Sequence, residues 1–275
     1  MLNKLVLQLL QGFMELAANK NNANTWSKGE IKMIQIRRLA DCTIEQAVEA
    51  WNKGFEGYHF NMTTTPEAFK KRLKQEELSR DLSVIAFDGE QPVGLVLNGI
   101  RHSGGRKIGW NGGTGVAAAW RKKGVGMKLM EKTLEILKEQ DVETATLEAI
   151  SSNEKAIALY EKLGYEIVDE LQFMKLDGEV EKKESGVSAP YKIQQEDPEE
   201  IGSLPFYRGD FPWQTQWQSV RDGEGLIAFG EEDAAIGYAL FRKMDDEHGK
   251  HSRTYCINWK LRRTQRSGKQ SQGCC

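Results

Sequence analysis

Arg121, Lys122 and Lys123 run straight into Gly124-Val125-Gly126, and an apolar-periodic stretch follows through Leu137. Residues of these types in this order suit an anion. The first amides of a helix lack intrahelical partners and carry partial positive charge, so they bind phosphate groups. Glycines let a backbone close on a pyrophosphate, and flanking cations add charge-assisted bonds. The same residues also make a solvated basic turn ahead of an ordinary helix, and the pattern alone leaves both readings open. Just upstream, Gly113-Thr114-Gly115-Val116-Ala117-Ala118 satisfies the G-x-G-x-x-A form of a dinucleotide fingerprint. That fingerprint needs a buried apolar strand before it and an acid about 20 residues later. Lys107–Asn111 is not such a strand and 133–140 belongs to a helix, so the match is accidental.

A turn of this kind works only on a framework that holds it. With 275 residues, 39% of them hydrophobic, the chain can bury a full core as one large or two smaller domains. A formal charge of -2 gives no global attraction to nucleic acid or to an anionic membrane. No apolar run approaches the roughly 18 residues that a membrane span needs. Leu2–Leu10 faintly resembles a signal peptide, but Gln8 interrupts it and no clean small-residue cleavage site follows. The chain reads as soluble and cytoplasmic. Cys42, Cys256, Cys274 and Cys275 give neither a disulfide framework nor metal-ligand spacing, and His59, His102, His248 and His251 form no metal pattern.

From Met33 onward the pattern predicts alternating elements. Ile34 and Ile36 open a strand, Thr43 caps a helix, and Thr65-Pro66 starts a second one. Leu82–Phe87 and Val93–Ile100 read as a hairpin about Asp88-Gly89, and Lys107–Ala118 as a glycine-rich strand. A helix over Gly124–Lys138, a strand over Val142–Ile150, a helix over Asn153–Leu163 and two last strands, Tyr165–Val168 and Leu171–Leu176, complete the unit. Strands interleaved with helices argue for an α/β or α+β layer architecture.

Within the second of those helices, Asn153, Ala156, Leu159, Tyr160, Gly164 and Tyr165 stand at N-x-x-A-x-x-L-Y-x-x-x-G-[FY] spacing. Together with V-x-x-x-x-R-x-x-G-x-G at 116–126, this resembles the GNAT family of N-acetyltransferases, over roughly 33–177 and more loosely over 190–245. The resemblance implies a mixed, mostly antiparallel sheet flanked by helices. It implies acetyl-coenzyme A as co-substrate, no metal, and direct transfer of the acetyl group, in a ternary complex, to an amine of a small molecule or peptide. The pyrophosphate would lie on Arg121, Lys122, Lys123, Gly124, Val125 and Gly126. Amides around Val116 would bind the pantetheine and polarise the thioester carbonyl, and Asn153 and Ala156 would contact the cofactor. Tyr160 would protonate the departing thiolate.

The base is open. Many members carry a glutamate on the strand of Val116, but Asn111–Gly115 contains no acid. The related ribosomal-protein alanine acetyltransferases place a glutamate twelve residues before the tyrosine, which here is Glu148; the other reading is an exposed strand glutamate. Departures at Ala149 and Ile150 keep that peptide substrate from transferring. Phe55, Tyr58 and Phe60, in the loop 54–63, line an acceptor site or cap the core. The acid-free strand also permits a non-catalytic acyl-coenzyme A sensor or interaction module.

Residues 178–190 read as a charged linker. Beyond it, VIAFDGEQPVGLVL at 84–97 has a counterpart in LIAFGEEDAAIGYALF at 226–241, so 191–250 reads as a partial second copy of the unit. The tail 251–275 is basic and without sustained period, and reads as disordered or frameshifted. A truncated copy of this kind would expose sheet edge and invite a homo-dimer. Residues 28–33 can be encoded by a bacterial ribosome-binding sequence and start codon, so 1–32 reads as a leader or disordered extension; a helical extension is the alternative.

Overall fold

The structure is a computed structural model. It describes residues 2–10, 34–173, 191–209, 212–230, 233–245 and 252–261. The chain divides into two compact units, Leu5–Glu170 and Met1–Lys4 with Leu171–Cys275.

The first sheet is seven-stranded, in the order β2-β3-β4-β5-β6-β1-β7. Its strands are β1 (Leu2–Leu10), β2 (Gln35–Arg38), β3 (Leu78–Asp88), β4 (Gln91–Ser103), β5 (Arg106–Val116), β6 (Thr144–Ile150) and β7 (Glu166–Phe173). The ladders from β2 through β5 are antiparallel, and β5 pairs with β6 in parallel. Between β2 and β3 lie α1 (Ile44–Gly54) and α2 (Pro66–Gln75); α3 (Val125–Glu139) links β5 to β6 and α4 (Glu154–Lys162) links β6 to β7. The mixed, mostly antiparallel sheet flanked by helices is the expected fold.

Local sequence explains the helix ends. Thr43 and Gln46 form a reciprocal capping box on α1, and Thr65 accepts from Ala68 N with Pro66 in the first turn of α2. Gly124 caps α3 in the left-handed region at φ 79°, and Gly164, at φ 92°, ends α4. Helix α3 buries Val125, Leu129, Met130, Thr133, Leu134, Ile136 and Leu137. Both faces of the sheet are covered, so residues 82–87 and 92–99 are continuously buried rather than alternating.

Two expectations are corrected in this unit. Residues 2–10 are neither a detached leader nor a helix but strand β1, placed between β6 and β7. Leu7 and Leu9 are 0% and 1% exposed in the main core, and their burial offsets part of the cost of ordering the segment. Residues 11–33 lie outside the described residues. The two last strands are one continuous strand, β7.

The second unit holds β8 (Lys192–Glu196), a short α5 (Pro198–Gly202), β9 (Glu224–Phe229), β10 (Ala235–Asp245) and β11 (Ser252–Leu261). Its four strands are ordered β11-β10-β9-β8 with antiparallel ladders. Ile201, Ile227, Tyr238 and Leu240 form its buried core. Here too an expectation is corrected: 252–261 is not a disordered tail but strand β11 along β10. Tyr255, Ile257, Trp259 and Leu261 recur at the period of two that a strand requires, beneath the basic composition. The linker 178–190 and residues 262–275 lie outside the described residues.

Candidate active site

Strands β5 and β6 part company halfway. Their parallel ladder runs from Ile108–Thr144 to Asn111–Leu147 and stops, although β5 continues to Val116 and β6 to Ile150. A bulge at Gly112 marks the same place: Asn98 pairs with Asn111, and Leu97 with Gly113. The Asn111 side chain holds it, accepting from Gly113 N at 2.9 Å and donating to Thr114 Oγ1 at 2.8 Å. Gly113 and Gly115 serve close packing. An added Cβ would meet Trp51 and Phe55 respectively at 3.0 Å. The G-x-G there belongs to a strand, which removes it from consideration as a dinucleotide turn.

At the open end of β5 the chain enters the basic turn. Lys122, a non-glycine residue, sits at φ 63°, and Gly124 at φ 79°. Left-handed residues spaced in this way turn successive amides toward one side, which suits an anion. No side chain caps α3, and its first turn holds no acid. Lys123 Nζ lies 5.1 Å from the centre of the Trp120 ring. A Cβ on Gly126 would meet Leu159 at 3.4 Å and Val116 at 3.7 Å. The two signatures, remote in sequence, thus touch.

On the β6 side, Asn153 caps α4 by accepting from Ala156 N at 3.3 Å. Ala156 packs against the main core. Tyr160 is 7% exposed, its ring edge-on to Tyr165 at 5.9 Å. Burial raises the Tyr160 phenol above its ordinary range, and a hydrogen bond with Thr114 partly offsets this. The phenol is therefore protonated at neutral pH. Glu148 Oε2 accepts from the Trp110 indole at 2.8 Å. Leu147 and Ala149 pack in the core with α3, so the strand's alternation turns Glu148 to the opposite face.

The loop after α1 reaches this region. Phe55 stacks 4.2 Å from Trp51 and 5.3 Å from Tyr58, while Phe60 is 48% exposed. The three aromatics therefore divide: Phe55 packs on β5, Tyr58 approaches α4 and Phe60 faces solvent. Burial raises the Tyr58 phenol, opposed by a hydrogen bond with the Asn153 side chain. The Arg121 guanidinium is engaged by backbone carbonyls, through Nε to Val116 O at 2.9 Å. Sequence reasoning missed Asn111, Thr114 and Trp110, which carry no spacing signal because bulge and strand pairing create their contacts. Among the described residues no three His, Cys, Asp or Glu side chains gather as a metal site.

Residues 44–165 match the family model of the Acetyltransferase (GNAT) family. Over 111 residues the chain is 28% identical to N-alpha-acetyltransferase 50 of Danio rerio, covering 40% of this chain and 66% of that protein. The chain thus spans just under two thirds of that curated relative. A solved GCN5-related N-acetyltransferase from Sphaerobacter thermophilus is 18% identical with a TM-score of 0.42, covering 62% of this chain and 49% of that one. Naa50 of Arabidopsis thaliana, solved with the bisubstrate analogue CoA-Ac-MVNAL, is 20% identical with a TM-score of 0.39, covering 50% and 86%.

Proposed function

We propose, from the match of residues 44–165 to the Acetyltransferase (GNAT) family model, that the chain moves an acetyl group from acetyl-coenzyme A to an amine by direct transfer in a ternary complex. One observation carries this reading. The uncapped N-terminus of α3, the open end of β5 and the protonated Tyr160 converge where the β5–β6 ladder ends. The amides of Gly124, Val125 and Gly126, with the cations Lys122 and Lys123, hold the pyrophosphate. Gly126 suits this fit because it leaves the first turn of α3 without a side chain against the bound anion, its Cβ position lying 3.4 Å from Leu159 and 3.7 Å from Val116. Acetyl-coenzyme A supplies the thioester. Amides near Val116 orient it, Asn153 and Ala156 flank it from α4, and Tyr160 supplies the proton that leaves with the thiolate. Glu148 takes the proton from the acceptor ammonium, with Trp110 fixing its carboxylate.

The acceptor is an amine of a small molecule or peptide, bounded by Phe55 and Tyr58. The similarity to N-alpha-acetyltransferase 50 of Danio rerio favours a protein N-terminus. We read the second unit as a partial copy of the first, because β8-β9-β10-β11 repeats the neighbour order of β2-β3-β4-β5 with helical turns between the first two strands.

The test is coenzyme A binding by calorimetry, followed by thiol release from acetyl-coenzyme A in the presence of mixed amines and N-terminal peptides. Binding with amine-dependent release supports an enzyme. Binding without release against every acceptor points to an acyl-coenzyme A sensor, and no binding removes the proposal.

A further inference from the structure

Arg121 is exposed, yet its guanidinium turns back onto the chain. Nε donates to Val116 O at 2.9 Å, and one terminal nitrogen donates to Gly54 O at 3.2 Å and to Glu56 O at 2.9 Å. Val116 is the last residue of β5, and Gly54 is the last of α1. One planar cation therefore ties three pieces of chain together: the basic turn, the open end of β5 and the loop after α1. A guanidinium can do this because its donors form a rigid fork, whereas an ammonium is a point charge. The carbonyl end of α1 carries partial negative charge, which favours a cation there.

The other side of the loop is tied as well. The Asn153 side chain, at the start of α4, lies near enough to the Tyr58 phenol to oppose the rise that burial gives it. Phe55 lies against Gly115, and Gly54 approaches Gly115 so closely that an added Cβ would come within 2.8 Å of its backbone. Residues 54–58 thus form a strap from the turn before α3 to the first turn of α4. Those two places flank the point where β5 and β6 separate.

We propose that Arg121 is a positioning residue for the acceptor side, linking the anion-binding turn to the strap that carries Phe55 and Tyr58. This rests on the reading of the turn given under Proposed function. A pyrophosphate seated on 122–126 orders the turn, Arg121 moves with it, and its two bonds to the carbonyls of Gly54 and Glu56 hold the strap against β5. The guanidinium acts on protein carbonyls, and the phosphates are left to the backbone amides and the two lysines.

Coenzyme A binding by calorimetry, paired with backbone amide exchange over 54–60, tests this in the full chain. In the wild type, coenzyme A should slow exchange of the strap by about tenfold or more. Arg121→Ala should bind coenzyme A within about threefold of wild type while the strap no longer responds. Arg121→Lys, which keeps the charge but not the fork, should behave like the alanine variant, and it carries the test if the alanine variant does not fold. Tyr58→Phe, which cuts the opposite tie, should raise strap exchange with coenzyme A affinity retained. A loss of affinity beyond about tenfold in Arg121→Ala, with the strap still responsive, would make Arg121 a phosphate ligand and overturn the proposal. A wild-type strap indifferent to bound coenzyme A overturns it too. Failure of the wild type to bind coenzyme A removes the proposed function and this inference together.

Discussion

The two sheets of this chain repeat one neighbour order, yet they are built to different depths. In the first, β2-β3-β4-β5 continues into β6, β1 and β7, and α3 buries a full face against the sheet. In the second, β8-β9-β10-β11 form a four-stranded sheet, and among the described residues Ile201, Ile227, Tyr238 and Leu240 form a small buried cluster. Among the described residues the second unit has no helix longer than the five residues of α5. The hairpins 84–97 and 226–241 look alike because a strand pair needs only alternating or continuous apolar residues around a turn. Chemistry needs more. The proposed chemistry draws on the place where β5 leaves its neighbour and hands the chain to an uncapped helix.

Removing β1 should break this comparison hardest, by taking from the first unit the strand its core depends on. Deletion of residues 1–10 should abolish the cooperative thermal transition of that unit, and Leu7→Ala alone should cost about 2–5 kcal/mol. An unchanged melting curve in the deletion would show β1 to be dispensable. Next in size is turnover. Tyr160→Phe should lower kcat by about a hundredfold or more with coenzyme A affinity retained, since proton donation acts in the transition state. Equal kcat would return Tyr160 to a packing role.

Glycines sharpen the contrast between scaffold and site. Gly54→Ala forces a Cβ within 2.8 Å of the Gly115 backbone and should destabilise by about 1–3 kcal/mol. Gly126→Ala meets only ordinary contacts, at 3.4 Å and beyond, in the first turn of α3. It should leave the melting temperature equal or higher while weakening coenzyme A binding by about tenfold or more. A Gly126→Ala protein that binds normally would separate this turn from the cofactor.

The smallest effect concerns Tyr165, whose buried hydroxyl has no hydrogen-bond partner among the described residues. Tyr165→Phe should stabilise by about 1 kcal/mol, because an unsatisfied buried hydroxyl costs that order. Burial raises the Tyr165 phenol above its unfolded value of 10.0, as it raises Tyr160 and Tyr58. A raised folded value means that the folded state holds the proton more tightly. This contribution is therefore fully present below pH 10 and lost as pH climbs toward the folded value. Denaturation between pH 9 and 11, about the reference phenol value, should show a shallower alkaline loss in Tyr165→Phe.

Most elements of the first unit were legible because their signals are local. Thr43 with Gln46, Pro66 after Thr65, and Gly124 before Val125 mark helix ends through hydrogen bonds or dihedrals that span a few residues. The signature residues from Asn153 to Tyr165 were legible because one helix sets their spacing. Strand β11 was hidden, its alternation masked by basic composition.

What the amino-acid order determined alone is the succession of elements and the chemistry each can offer: an amide-rich turn, a helix bearing Tyr160, a strand bearing Glu148. Tertiary structure decided which of these meet. Leu2–Leu10 became an interior strand because the slot between β6 and β7 buries Leu7 and Leu9, a gain no local window contains. The bonds from Arg121 to Gly54 and Glu56 span more than sixty positions, 67 and 65 respectively. They exist because α1 packs glycine to glycine on β5, which brings the loop to the turn, and periodicity within either segment cannot encode a contact between them.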